Sequence, residues 1–475
     1  MMDFTTLGFL AYLAAAALVY RVLPERLRPV LILVASYVYY WFAGSWMILL
    51  LVCETLLVFG GALLLEKTSG QRRRQTIMVT VVSLLVGVLV LFKGEFMLPS
   101  RWAGALLMPL GASYYTFKLV GYLVDVYWQA SPAETNLLNF AAYSAFFPQI
   151  VAGPIQRAES FLPQMRVAPN ATSRGVLLGI QRILLGFFKK FIVADNLGLF
   201  VNYVYAHLHG GAEPILLGFY GYPLQMYADF SALTDIAVGS ALLFGIASPE
   251  NFEAPFAAVS PTDYWRRWHI TLTLWLTDYV FTPLRMSTRT WGNAGLVFSL
   301  VVNMVLIGLW HGFRWTFVIF GLVHAFYLAV DALTGKQRRN YYKTHPQTKA
   351  WAGRIGPITT FHLVAIGFVC FRASSLSDIV YVLRHLFANV TNWSAPFESF
   401  FAENSRFLAV GAGGYAVAEV FDYLRRRNAR EPILETLPRW GRWSAYSCSV
   451  LAACLLAMLL FVKGNKPSPF LYAIF

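Results

Sequence analysis

His311, in the sequence Trp310-His311-Gly312, lies within an apolar stretch that runs from 296 to 330. An ionisable side chain at membrane depth is costly and rare, so its presence there points to function. A neutral imidazole can take a proton from a hydroxyl and return it to a leaving thiolate. Moving an acyl group from a thioester to an alcohol needs those two transfers. Gly312 beside the ring lets a substrate approach closely. The alternative is a histidine that hydrogen-bonds a neighbouring helix as packing glue.

A second histidine, His269, ends the run Asp263-Tyr264-Trp265-Arg266-Arg267-Trp268-His269 at the start of another apolar stretch. His269 is placed to orient His311 or to contact an acyl carbonyl. Arg266 and Arg267 suit a donor's phosphates, because a guanidinium matches phosphate bidentately. Interfacial anchoring is the competing account of this segment, with arginines on lipid headgroups and Trp265 and Trp268 in the aromatic belt. Gln225, Tyr227, Asp229, Ser231 and Asp235 form a polar cluster between two apolar runs. Asp229 and Asp235 there must be paired or face a cavity, and pairing with an arginine of a neighbouring helix explains them as well as catalysis does. Tyr114, Tyr115, Lys118, Tyr122 and Asp125 make a similar stripe. His324 and His362 read as packing or interface residues; His207, His209 and His345 read as loop residues.

No Gly-x-Ser-x-Gly elbow, HExxH, P-loop or dinucleotide fingerprint occurs. His269 and His311 lack a third ligand at a usable spacing, so no metal is expected. The four cysteines lie in or beside apolar segments without a CxxC spacing and are expected to pack as buried thiols.

The elements that must hold these residues are membrane helices. Of 475 residues, 57% are hydrophobic and 13% charged, whereas a soluble chain carries roughly 25% charged residues. Mean hydropathy is +0.55. Candidate spans are 7–20, 29–42, 47–65, 76–92, 103–117, 175–205, 214–228, 232–246, 264–282, 293–310, 314–332, 357–372, 408–423 and 444–462. Some are expected to be re-entrant or interfacial, leaving about eleven to thirteen embedded helices in one all-α domain over 1–475. The first apolar run has no small-residue cleavage site and is expected to stay as a first helix. The net charge of +14 sits in clusters between apolar runs. This is the positive-inside pattern of a multi-pass protein among membrane lipids, with no nucleic-acid partner expected. The loops at 21–28, 66–74, 336–354 and 425–442 are expected in the cytoplasm, and the N-terminus outside it. Residues 376–390 read as an amphipathic helix on the membrane surface. The segment 146–162 carries Pro148, Gly153 and Pro154 and cannot be a regular spanning helix. Broken backbone at membrane depth needs protein or a water-filled cavity around it, so Gly153 and Pro154 are expected at a cavity wall.

Several ordered segments together resemble the membrane-bound O-acyltransferase (MBOAT) family, in the bacterial branch of the alginate O-acetyltransferase membrane subunit. They are Pro109-Leu110-Gly111-Ala112-Ser113-Tyr114-Tyr115, Phe146-Phe147-Pro148-Gln149-Ile150-Val151-Ala152-Gly153-Pro154 and Gln225-Met226-Tyr227-Ala228-Asp229-Phe230-Ser231. Asp263 to Leu272, Gly308-Leu309-Trp310-His311-Gly312, Phe371-Arg372-Ala373 and Pro469-Phe470-Leu471-Tyr472 complete the set. The resemblance implies a ring of tilted or re-entrant helices around a central tunnel in a bacterial inner membrane. It implies that His311 is the catalytic histidine and His269 the second active-site histidine. Trp310, Gln225, Tyr227 and Asp229 join Gly153 and Pro154 as substrate or cavity residues.

The activity so implied moves acetyl from cytoplasmic acetyl-CoA towards hydroxyls of an extracytoplasmic polysaccharide, alginate-like or another exopolysaccharide. A periplasmic SGNH or esterase-like subunit is the implied partner. No soluble domain is evident in this chain, so that subunit would be another polypeptide. Two alternatives stay open. One is D-alanyl or other acyl transfer from a carrier-protein thioester to a cell-envelope polymer. The other is a transporter or channel, which broken helices and midplane polar residues also suit.

Overall fold

The computed structural model describes residues 4, 6–94, 111–168, 170–210 and 213–427, with 438, 441, 444 and 470 beyond them. The start of the expected 103–117 span, Pro109-Leu110, the 444–462 span and the terminal motif other than Phe470 lie outside the described residues, as do Cys448 and Cys454. The described chain is helical apart from one isolated antiparallel bridge, Phe252 to Trp268. Six helical stretches are long and apolar enough to cross a bilayer, and Glu25–Lys67 among them runs to 43 residues. The all-α polytopic membrane reading holds. Shorter and interrupted helices make up the rest.

Backbone contacts divide the chain into two compact units. The first gathers the described residues up to Phe187, with Leu233–Glu250 and Arg425 onward. Its helices are α1 (Leu7–Val22), α2 (Arg28–Gly44), α3 (Ile48–Lys67), α4 (Gln71–Lys93), α5 (Ala112–Tyr127), α6 (Leu137–Ala145), α7 (Phe147–Ile150), α8 (Ala158–Arg166) and most of α9 (Ser173–Phe188). Local chemistry sets the ends. The Thr6 hydroxyl accepts from the Phe9 amide at α1, and Asn136 Oδ1 accepts from the amides of Leu138 and Asn139 at α6; these satisfy orphan helix-start donors. Between α7 and α8 the chain is irregular, as the prolines of 146–162 predict, whereas Pro163 just beyond lies inside α8.

The second unit gathers Phe188–Ala232 and Asn251–Leu424. It contains a π-helical turn, Lys189–Ala194, leading into α10 (Asp195–Ala206), then most of α11 (Ile215–Leu242), α12 (Pro261–Trp265), α13 (Ile270–Leu276), a π-turn Thr277–Phe281 and α14 (Thr282–Ser287). α15 (Asn293–His311), α16 (Trp315–Thr344), α17 (Pro346–Arg372), α18 (Leu376–Arg384) and α19 (Ala395–Arg427) follow. α15 packs on α16 and α16 on α17, while α12 lies across α16 and α17. α18 covers the first nine residues of the amphipathic stretch expected over 376–390 and stops at Arg384, after which the chain turns. It opens with a Ser375–Asp378 capping box and buries Ile379 and Val382.

Glycines set the closest approach. A Cβ on Gly308 of α15 would lie 2.1 Å from the Phe317 carbonyl oxygen, and one on Gly321 of α16 would lie 2.5 Å from that of Met304. Small residues that let backbones meet are how helices associate without a hydrophobic drive between them.

Candidate active site

His269 and His311 both belong to the second unit, and both are buried. They reach one another's neighbourhood by different means. His311 is the last residue of a long helix. His269 stands at a corner, as the residue before α13, with φ 42° and ψ 53°. Left-handed backbone is unusual for a non-glycine residue and costs about 1–3 kcal/mol, so the surroundings must enforce it.

Backbone bonds on either side do so. The Glu253 amide donates to the Arg267 carbonyl at 3.0 Å, and the Ile270 amide donates to the Asn251 carbonyl at 3.0 Å. The Thr271 hydroxyl donates to the buried Asn251 Oδ1 at 2.6 Å. Residues 267 and 270 are thereby pinned to 251–253, and the chain turns at His269 between them. Upstream, Ser260 caps α12, and Asp263 accepts from the Val259 amide and from Arg267 Nε at 2.8 Å.

Trp310 joins the two histidines. Its ring centroid is 5.7 Å from that of His269 and 4.8 Å from that of His311, edge-on to each. Phe230 of α11 closes on His269 at 4.8 Å, and Phe371 of α17 on His311 at 4.7 Å. Phe317 and Phe320 of α16 complete the ring around His311. The result is an aromatic chamber in which both imidazoles are fixed in direction. His311 also sits at the carboxyl end of α15, where the negative end of the helix dipole stabilises an imidazolium once a proton is taken.

Arg266 is exposed and makes no ion pair among the described residues, whereas Arg267 is held by Asp263. Trp265 and Trp268, which fit an interfacial belt on sequence grounds, are instead buried inside the unit. The Trp265 indole N–H donates to His324 Nδ1 at 3.3 Å. His324 is thus a packing histidine, and it docks α12 onto α16. Trp268 stacks on Tyr264 and meets Phe252 and Phe368 edge-on.

The polar cluster on α11 divides. Tyr227 lies in the aromatic layer against Phe252, Phe256 and Trp268. Gln225 is buried, with its amide against Gly198 of α10. Asp229 receives Lys190 Nζ at 2.8 Å, and the same ammonium reaches Asp195 at 3.1 Å. Lys189 pairs with Asp422 at 2.7 Å. Asp235 falls in the first unit and pairs there with Arg182 of α9, the first of the two accounts left open for it. The two buried lysines were not singled out in the sequence. Their signal was present, since Lys189-Lys190 interrupts the apolar run 175–205 and such charges seek partners. The π-turn falls on this pair, as π-helical turns often do at special sites.

Gly153 and Pro154 belong to the first unit and are not among the residues that the second unit brings together. A Cβ on Gly153 would lie 2.5 Å from Gln149 Cα, so the glycine is sterically required. Gln149 Nε2 donates to Gln156 Oε1 and Ser248 Oγ, and Gln156 Nε2 donates to the Ala247 carbonyl. Among the described residues no group of three or more His, Cys, Asp or Glu is placed to hold a metal ion.

A sequence model of the membrane-bound O-acyltransferase family matches residues 33–371. The chain is similar to a probable alginate O-acetylase of Pseudomonas putida, 36% identical over 273 residues, which is 57% of this chain and 53% of that protein. It is 31% identical over 316 residues to a peptidoglycan O-acetyltransferase of Helicobacter pylori, covering 59% and 56% of the two chains. It is 33% identical over 270 residues to a teichoic acid D-alanyltransferase of Bacillus subtilis, covering 55% and 68%. The chain spans about half the length of the alginate relatives it matches.

Proposed function

Because the chain belongs to the membrane-bound O-acyltransferase family, we propose that it moves acetyl groups from cytoplasmic acetyl-CoA across the membrane to hydroxyls of an extracytoplasmic polysaccharide. The observation that carries this reading is the pair of buried histidines packed on one indole. His311 takes the proton of the attacking hydroxyl as its oxygen bonds to the thioester carbonyl carbon. When the carbon–sulfur bond breaks, the imidazolium returns the proton to the thiolate. His269, locked at its corner, orients the reacting carbonyl or His311. Arg266 presents a free guanidinium to the donor's phosphates, and Arg267 assists through the N–H groups that Asp263 does not take. Trp310 forms the wall between the imidazoles.

The acceptor is an alginate-like or other exopolysaccharide, and a separately encoded periplasmic SGNH or esterase-like subunit completes the transfer. Family membership favours covalent chemistry over transport. The test uses membranes holding wild type or His311→Ala at matched level, supplied with acetyl-labelled acetyl-CoA. CoA release and alkali-labile envelope label should both depend on His311. Equal label in the two samples would refute the reading.

A second donor has a relative of its own: the chain is 33% identical over 270 residues to the D-alanyltransferase, against 36% over 273 residues to the alginate relative. A D-alanyl-charged carrier protein belongs in the same assay. His311-dependent transfer from it, and not from acetyl-CoA, would select that reading.

A further inference from the structure

Arg338 stands two helical turns beyond Asp331 on α16, where the helix has left its apolar run. A basic side chain at the end of a spanning helix ordinarily extends outward to the headgroups. Arg338 does the opposite. Its guanidinium turns back along α16, and Nη2 donates to Asp331 Oδ1 and, at 3.3 Å, to the Asp331 carbonyl. Asp331 is buried, and its Oδ2 accepts from the Thr262 amide at 3.2 Å in the first turn of α12. Arg266 follows about one turn later in the chain. Nε and Nη1 of Arg338 make no hydrogen bond to a described residue, and the side chain stays 44% exposed. A planar guanidinium fixed by one nitrogen offers its remaining N–H groups to a phosphate in a defined direction.

α16 also measures how far this guanidinium lies from the histidines, since all the residues concerned belong to one unit. Near the start of the helix, Phe317 and Phe320 pack on His311. Further along, His324 holds Trp265, and Asp331 holds Thr262 and Arg338. Asp331 lies 14 residues beyond Phe317 and 11 beyond Phe320, about 21 and 16 Å at the helical rise. A pantetheine arm has about 14 bonds from the thioester carbonyl carbon to phosphorus, roughly 16 Å when extended. The two lengths match. Beyond Asp331, the stretch 336–354 has six Lys or Arg and no Asp or Glu. The positive-inside rule places that end of α16 in the cytoplasm, the side from which a thioester donor comes.

We propose that Arg338, held inward by Asp331, is the receptor for the phosphate at the end of the donor's pantetheine arm. With that phosphate on Arg338, an extended arm running along α16 brings its thioester carbonyl to the level of His311. A donor without the phosphate has nothing to fix it in this register. Acetyl-CoA and the prosthetic arm of a carrier protein share the phosphate, so the site serves either source. The proposal rests on the acyl-transfer reading for what the donor does there, but the phosphate site is testable through binding by itself.

The experiment uses the full-length protein in phosphatidylcholine nanodiscs, a zwitterionic lipid without competing anionic headgroups. Acetyl-pantetheine, acetyl-phosphopantetheine, acetyl-CoA and an acetyl-charged carrier protein are titrated by calorimetry, and thiol release from each is then followed. Wild type should bind acetyl-phosphopantetheine about 10- to 100-fold more tightly than acetyl-pantetheine, as charged hydrogen bonds to one phosphate require. Arg338→Gln should erase that ratio and Arg338→Lys should keep part of it. Arg339→Gln, at the next and exposed residue, should leave it intact. A ratio unchanged in Arg338→Gln, or absent in wild type, overturns the proposal. Equal loss for the phosphorylated and unphosphorylated thioesters assigns Arg338 to holding Asp331 alone and also overturns it. Whichever of acetyl-CoA and the carrier protein binds more tightly is the source of the arm, and its binding should weaken in Arg338→Gln. His311→Ala should keep the ratio. If Arg338→Gln erases the ratio while thiol release proves independent of His311, the acyl-transfer reading fails and the phosphate site stands. If release depends on His311 and the ratio does not depend on Arg338, the site fails and the reading stands.

Discussion

Replacing Gly308 with alanine tests whether the geometry of the histidine chamber depends on the backbone contact between α15 and α16. The added Cβ would lie 2.1 Å from the Phe317 carbonyl oxygen, where ordinary contact begins near 3.4 Å. Backbone stands on both sides, so no rotamer absorbs the clash, and α16 must retreat by about 1 Å. His311 lies about one helical turn beyond Gly308. Its ring rests on Phe317 and Phe320 of α16 and on Phe371 of α17, so the retreat opens one side of its cage. A displacement of that size costs about 10²-fold in rate, or about 2.7 kcal/mol in the barrier. The overpacking itself costs about 1–3 kcal/mol of stability. His311-dependent CoA release and the melting temperature of the purified protein are measured together for Gly308→Ala. Gly353→Ala on α17, where a Cβ meets nothing within 4 Å, is the control and should keep the wild-type rate and melt at or slightly above wild type, because alanine favours the helix over glycine. A Gly308→Ala protein with wild-type rate and melting temperature would refute the reasoning, because the helices would then have slack that this contact does not allow.

Other outcomes follow from the same structure. His311→Ala should lower turnover about 10²–10⁴-fold, or about 3–5 kcal/mol, and His269→Ala less; a larger loss at His269 in the same assay would reverse their roles. Lys190→Met should destabilise by about 3–5 kcal/mol, because it takes the ammonium away from both Asp229 and Asp195, while Asp229→Leu should cost less, because Asp195 still holds the ammonium; denaturation of the two variants in detergent checks this. Burial pushes the Glu250 carboxyl up, but Arg182, hydrogen-bonded to it, and Arg425 outweigh that and hold it below its ordinary value. Its contribution is therefore complete above about pH 4.3 and is lost as pH falls through the depressed folded value. Glu250→Gln should flatten that acid limb of the melting temperature and leave the neutral-pH slope unchanged. Gly312 has φ 155°, and a Cβ there would meet the Phe317 ring at 3.1 Å, so Gly312→Ala should reduce turnover by tilting His311; an unaltered rate would show that the turn after α15 does not set the ring.

Much of the fold was legible in the sequence because a bilayer imposes strong demands on composition. Long apolar runs, basic loops between them and the prolines of 146–162 fix helical spans and where they break. Single residues of costly type, His311 above all, announced themselves by standing in apolar surroundings. The pairing of Asp235 with an arginine was legible for the same reason. Asp229 was harder, since alone it suggests a cavity as readily as a pair, and its partner Lys190 is shared with Asp195.

The sequence by itself determined a helical membrane protein with two histidines in distinctive settings and the family to which it belongs. It did not determine that Trp310 packs on both imidazoles, that Trp265 and Trp268 are buried, or that Arg372 turns away from its own helix onto Tyr205. Those depend on contacts between residues far apart in the chain. Hydropathy carries no record of which side chain meets which, because lipid and protein interior are equally apolar. Tertiary packing decided them: bonds from 251–253 bend the chain into left-handed backbone at His269, and glycines at 308 and 321 let α15 and α16 close around His311.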